Sequence, residues 1–167
     1  MLSALKQTWQ ALTVWPEGKH WRSAFALAVP TFLVIAGIGY LSGWVAPALV
    51  TDPVLIGKVL LLIFLVPALV EELLFRGVLL AWLTRWSPRW SGWLSTLLFV
   101  AWHPLLALTI GPPWAAMFLQ PSFWIATFLI GIIFTHIRIV SGSLWPVILI
   151  HWLAVVIWKL FLGGPFY

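Results

Sequence analysis

Apolar residues follow one another along this chain in long stretches rather than at the spacing of a surface helix. Residues 24–44, 54–84, 91–109, 122–138 and 144–162 are each long and apolar enough to cross a hydrocarbon core as a helix, which takes about 17–25 residues. Between them lie VAPALVTDP, RWSPRWSG, GPPWAAMFLQPS and IVSGS, supplied with Pro, Gly and Ser as turns are. The pattern predicts an all-α fold: a polytopic transmembrane helical bundle of about five spans. The stretch 54–84 exceeds what a bilayer requires, and Pro67 inside it predicts a kink. The first 20 residues hold no long apolar core and no small-residue cleavage site, so no cleavable signal peptide is expected. The expected organisation is a cytoplasmic segment 1–23, a first span with its outside loop over 24–53, a core over 54–162 and a tail over 163–167.

Composition agrees with that pattern. The chain is 63% hydrophobic and 8% charged, against about half and a quarter in soluble domains. It reads as an integral, multi-pass membrane protein whose partner is the bilayer. Cysteine is absent, which removes disulfides, a thiolate nucleophile and a Cys-based metal site. A net charge of +5 does not point to nucleic acid here, because the basic residues sit at span ends and act as topology signals. Lys6, Lys19 and Arg22 precede the first span, Arg85 and Arg89 occupy the second linker, and Arg138 lies near the last. Residues 43–53 and 108–121 carry no Lys or Arg. The alternation places the N-terminus inside and the C-terminus outside, with Lys159 as a mild counter-signal. Trp82, Trp86, Trp90 and Trp93 gather at one junction, and Trp44, Trp114 and Trp145 at others, as interfacial belts do.

Ionisable residues inside spans are expensive and turn to the bundle interior. Lys58 is near a span end and can snorkel. The run LVEELLFRGVLL is different: it puts Glu71, Glu72 and Arg76 in an otherwise apolar span. At about 100° per residue, Glu72 and Arg76 share a face and can pair, while Glu71 points elsewhere. His103, His136 and His151 lie in three further spans, and each taken alone suits a hydrogen-bonded structural role. Together, a carboxylate and two imidazoles from different helices converge in the interior, where they could activate a water or hold zinc. HExxH, the helical zinc-protease signature, is absent.

EELLFR (Glu71, Glu72, Arg76), FVAWH (Phe99, His103) and GSLWPVILIH (ending at His151) occur in this order, each on its own span. They resemble the EExxxR, FxxxH and third conserved blocks of the CAAX prenyl protease and bacteriocin-processing family. The resemblance spans residues 54–162. It implies an intramembrane endopeptidase of glutamic type in which Glu71 activates water, His103 helps to hold it and His151 stabilises the oxyanion. Glu72, Arg76 and Phe99 are implied as supporting residues. The family often has Asn four residues after the last His; here Val155 stands there, and the chain contains no Asn. Trp152, Trp102 and His136 are candidate replacement donors.

The resemblance implies hydrolysis of a membrane-anchored protein or peptide, for which processing of a C-terminal sorting or anchor segment is an expectation. No cofactor is expected. One alternative is an inactive relative that acts by binding, of the bacteriocin self-immunity kind. Another is a metal-dependent protease with zinc on Glu71, His103 and His151. The compact core resembles prokaryotic members, which implies a cytoplasmic membrane.

Overall fold

The computed structural model describes residues 2–166. Those residues are helical with short connections. Helix α1 is Leu2–Thr13 and α2 is Gly18–Leu41. The long α3 covers Pro53–Trp86, α4 Ser91–Thr109, α5 Pro121–Ser141 and α6 Trp145–Phe161. A 3₁₀ turn, Pro113–Leu119, joins α4 to α5. Helices α2 to α5 are four long apolar candidate spans, and α6 is a shorter apolar helix, so about five crossings stand. Large aliphatic side chains on the outer faces, such as Leu33, Leu61 and Leu108, are more than half exposed, which suits lipid rather than water.

Helix α3 starts cleanly. The Asp52 side chain accepts from Val54 N at 2.9 Å, and Pro53 follows at the first turn, where its missing N–H is not needed. The helix then loses α geometry twice, at the π-helical stretches Phe64–Leu69 and Leu73–Leu79. At Val66 (φ −138, ψ 118), next to Pro67, the backbone is not helical. The break therefore falls where Pro67 predicts a kink. Glu71 and Glu72 lie between the two widened stretches, as residues of functional sites often do. In the second stretch the carbonyl of Phe75 accepts from Ser95 Oγ of α4 at 2.8 Å. A hydroxyl from a neighbouring helix thus serves a backbone group that lipid could not.

Helix α1 went unread in the apolar pattern because its buried stripe is small: Ala4, Thr8 and Ala11. Its docking is backbone-led. The carbonyls of Ala11, Leu12 and Val14, near the helix end, accept from Leu144 N (3.0 Å), Trp145 Nε1 (2.9 Å) and Ser143 Oγ (2.6 Å). They would otherwise be orphaned. Against α3, Thr8 fits over Gly77: a Cβ on Gly77 would lie 2.6 Å from Thr8 Cγ2. The Thr8 hydroxyl bonds Ala4 O at 2.9 Å and holds that rotamer. Gly77→Ala is therefore expected to destabilise by about 1–3 kcal/mol, the usual range for overpacking. Adding Thr8→Ser, which removes Cγ2, should recover most of the loss in a thermal unfolding assay in detergent. Unchanged unfolding of Gly77→Ala would refute this packing.

At the opposite end, the 42–52 loop closes α6. Ala46, Ala48 and Val50 donate their N–H groups to the carbonyls of Leu162, Phe161 and Leu160 at 3.0–3.1 Å. Between α5 and α6 the chain turns on Gly142 (φ 68), a left-handed position that glycine adopts freely. That tight turn sets α6 antiparallel to α5, with His151 facing inward. Phe134, Leu144, Val147 and Ile148 form the packed centre there.

Candidate active site

Three helices bring their polar residues together at mid-bundle. Glu72 and Arg76 of α3 are wholly buried. Arg76 Nη1 donates to Glu72 Oε1 at 3.1 Å, the i, i+4 pairing that helix geometry predicts. The same oxygen faces His151 Nδ1 at 2.8 Å. An ionised carboxylate only accepts, so Nδ1 carries the hydrogen and Nε2 is the nitrogen left to act. Glu72 is thus more than a partner for Arg76: it joins α3 to α6 and sets the ring of His151. That link needed the tertiary fold, because 79 residues separate the two.

Phe99 contributes in two ways. Its ring lies 4.0 Å from the Arg76 guanidinium carbon, as a cation–π contact. Its carbonyl oxygen stands 2.9 Å from His103 Nδ1. A carbonyl only accepts, so His103 also carries its hydrogen on Nδ1 and keeps Nε2 available. Arg76 Nη2 reaches Gly131 O of α5 at 3.5 Å. The would-be Cβ of Gly131 is 2.7 Å from Thr96 Cγ2, so glycine there lets α4 and α5 approach.

Glu71 stands apart from this buried network. Its Oε1 accepts from Trp102 Nε1 at 3.2 Å, and its Oε2 is buried without a protein partner. Glu71, His103 and His151 all line one cavity of about 330 Å³. Its other walls are mainly apolar, with Thr127 and Lys159 as polar exceptions and with Phe118 and Phe123 ring centroids 5.3 and 5.6 Å from that of His103. Glu72 and Arg76 lie behind the wall. Helix rotation foreshadowed this division between a cavity-facing and a paired carboxylate.

The candidate donors separate clearly. Trp102 lines the cavity. Trp152 Nε1 is engaged with Leu60 O at 2.8 Å, and His136 is exposed on α5; neither lines the cavity. Val155 does line it, one turn beyond His151. Lys58 is exposed near the start of α3, in keeping with snorkelling. Sequence reasoning missed Lys159, treated only as a topology charge. It is 4% exposed, lines the cavity and places Nζ 5.2 Å from the Trp114 ring centroid. Its Nζ also donates to Pro165 O. The available signal was spacing: His151, Val155 and Lys159 recur every four residues and share a helix face.

Hydrogen bonds on both Nδ1 atoms would suit imidazoles that hold zinc through Nε2. The wider arrangement suits zinc less well: among the described residues, no three His, Asp or Glu side chains form a group that could hold a metal ion.

The fold and site define a polytopic helical membrane protein with an ionisable cluster inside the bundle and a mainly apolar cavity beside it. A family model for Rce1-like type II CAAX prenyl endopeptidases matches residues 53–157. The chain belongs to that family, and with it to the membrane-embedded CAAX-type proteases. No curated protein and no solved structure matches it.

Proposed function

We propose that this protein is a glutamic-type intramembrane endopeptidase that cuts a membrane-anchored protein or peptide, such as a C-terminal sorting or anchor segment. The observation that carries the reading is the separation of the two carboxylates. Glu72 is committed to Arg76 and His151, whereas Glu71 lines the cavity with one oxygen lacking a protein partner.

In the proposed reaction, Glu71 takes one proton from a water that donates its other hydrogen to the bare His103 Nε2. The resulting hydroxide attacks the peptide carbonyl carbon. The tetrahedral oxyanion accepts from His151 Nε2–H, so His151 acts as the imidazolium with its other N–H on Glu72. Two carboxylates and one guanidinium leave one net negative charge, and that imidazolium brings the cluster to neutrality in an apolar setting. Collapse of the intermediate breaks the C–N bond, and Glu71 returns its proton to the leaving amine. The products are a carboxylic acid and an amine. No step needs a metal. Elemental analysis of purified active protein is expected to find zinc well below one per chain, with activity surviving chelators. Stoichiometric zinc lost together with activity would overturn this.

Val155 favours a second reading, in which the protein binds without cutting. An oxyanion donor is worth about 10²–10³ in rate elsewhere, and Val155 offers none. Under the protease reading, Val155→Asn is expected to raise turnover toward that factor, because the single N–H of Trp102 is already given to Glu71 Oε1. Under the binding reading, Glu71→Gln retains full function in a protection assay.

The deciding experiment compares protein termini in membranes of cells carrying wild type or Glu71→Gln. Termini that vanish in the variant identify substrate and cleavage site together. Unchanged termini at equal protein levels would sink the protease reading.

A further inference from the structure

The cavity is strongly one-sided. Among the described residues, none from 1–31, 72–98 or 135–150 lines it. Those segments make one end of the bundle: α1, the α3–α4 turn and the α5–α6 turn. On that side the cavity ends at Phe99, Phe134 and His151, with the buried Glu72–Arg76 pair behind them. In the other direction its walls continue through Val155 and Leu106 to Trp44, Pro112, Trp114, Trp158 and Lys159. Trp44, Pro112 and Trp114 lie in the loops at the opposite end of the bundle, where α2 ends and α5 begins. Trp158 Nε1 donates to Trp44 O at 3.1 Å there, and Trp44 Nε1 to Ser122 Oγ at 3.3 Å.

Charge is biased as well, in the opposite sense: six of the nine Lys and Arg lie at the closed end, Arg76 is at mid-bundle, and Lys58 and Lys159 lie near the start of α3 and the end of α6, toward the cavity's end. Lys6, Lys19, Arg22, Arg85, Arg89 and Arg138 all fall at the closed end. The loops at the cavity's end, 42–52 and 110–120, contain no Lys or Arg. Basic loops stay in the cytoplasm, because their translocation is disfavoured. The two asymmetries come from independent features, one of shape and one of charge, and they orient the same axis.

We propose that the cavity is reached from the extracytoplasmic side, and that it receives the polypeptide on the extracytoplasmic flank of a substrate's membrane anchor. The part about substrate rests on the protease reading; the part about access does not. His103 lies six residues before the end of α4 at Thr109, about 9 Å along the axis at 1.5 Å per residue. A chain entering past Trp44, Trp114 and Lys159 therefore needs only a few extended residues to reach Glu71 and the two imidazoles.

The natural absence of cysteine makes the test direct. Four single-cysteine variants are needed: Thr13→Cys at the basic end, Thr51→Cys in the 42–52 loop, and Val155→Cys and Leu106→Cys in the cavity. Each is treated with a small charged, membrane-impermeant methanethiosulfonate in right-side-out and inside-out vesicles. The expected result is labelling of Thr51→Cys, Val155→Cys and Leu106→Cys in right-side-out vesicles, lost in inside-out ones, with Thr13→Cys giving the reverse. Labelling of the cavity variants only in inside-out vesicles would overturn the proposal, as would equal labelling from both faces. Reaction of both cavity variants from neither face would also overturn it. The labelling pattern is expected unchanged in a Glu71→Gln background, which separates access from catalysis; a protein with Glu71 intact that shows the pattern but changes no membrane-protein termini fails the protease reading alone.

Discussion

Glu71→Gln is expected to lower cleavage by about 10²–10⁴-fold, the usual share of a general base, while the protein accumulates at the wild-type level. Gln keeps the shape of the side chain and retains an oxygen that can accept from Trp102 Nε1, as Glu71 does at 3.2 Å. It loses the ability to take a proton from water. The Glu72–Arg76 and Glu72–His151 contacts do not involve Glu71, so its replacement leaves them in place. His103→Ala and His151→Ala should abolish cleavage too, but each also removes a hydrogen bond that orders the site, which makes Glu71→Gln the cleaner test. Rates are best measured on the substrate that terminal mapping supplies, beside a thermal unfolding curve in detergent. A Glu71→Gln protein that cuts at the full rate would remove Glu71 from the reaction.

Glu72→Ala is expected to act on the other side of the divide, on folding. One carboxylate oxygen serves both Arg76 at 3.1 Å and His151 at 2.8 Å, and both charged partners in α3 are wholly buried. Removing one member of such a pair costs roughly 3–5 kcal/mol, because the remaining charge stays buried without compensation. Net stabilities are only about 5–15 kcal/mol. The variant should therefore unfold at a much lower temperature or fail to accumulate. A second change gives the argument its check. Glu72→Ala with Arg76→Met removes the stranded guanidinium, and recovers part of the unfolding temperature without recovering cleavage. If Glu72→Ala alone unfolds like wild type, the Glu72–Arg76–His151 network is not what holds α3 to α6.

Paired with Glu71→Gln, this result would separate two adjacent residues of identical chemistry into one that works on substrate and one that supports the fold. The basis is position. Glu71 is on a cavity wall, and Glu72 is turned toward Arg76, which lies under the Phe99 ring at 4.0 Å. The π-helical stretches on either side of the pair place this divide in the least regular part of α3.

Much of the architecture was legible because a bilayer constrains sequence severely. A span must be apolar along its length, so α2 to α6 stand out as runs, and Pro67 marks the break near Val66. The same constraint makes Glu71, Glu72, Arg76, His103 and His151 conspicuous. Helix rotation then distinguishes Glu71 from Glu72. Less was legible where small residues or backbone groups do the work. Nothing in the apolar pattern marks α1, whose buried face is Ala4, Thr8 and Ala11 and whose end is held by residues 143–145.

By itself, then, the sequence determined that this is a helical membrane protein, where its spans lie, and which few ionisable groups its interior must accommodate. Those follow from local composition and helical period, which act over a turn or a span. The tertiary structure decided which of those groups meet. It joined Glu72 to His151, set Trp102 against Glu71, drew Lys159 from a span end into the cavity wall, and left His136 outside. Such pairings depend on the packing angles of helices distant in the chain, and no local rule of spacing carries that information.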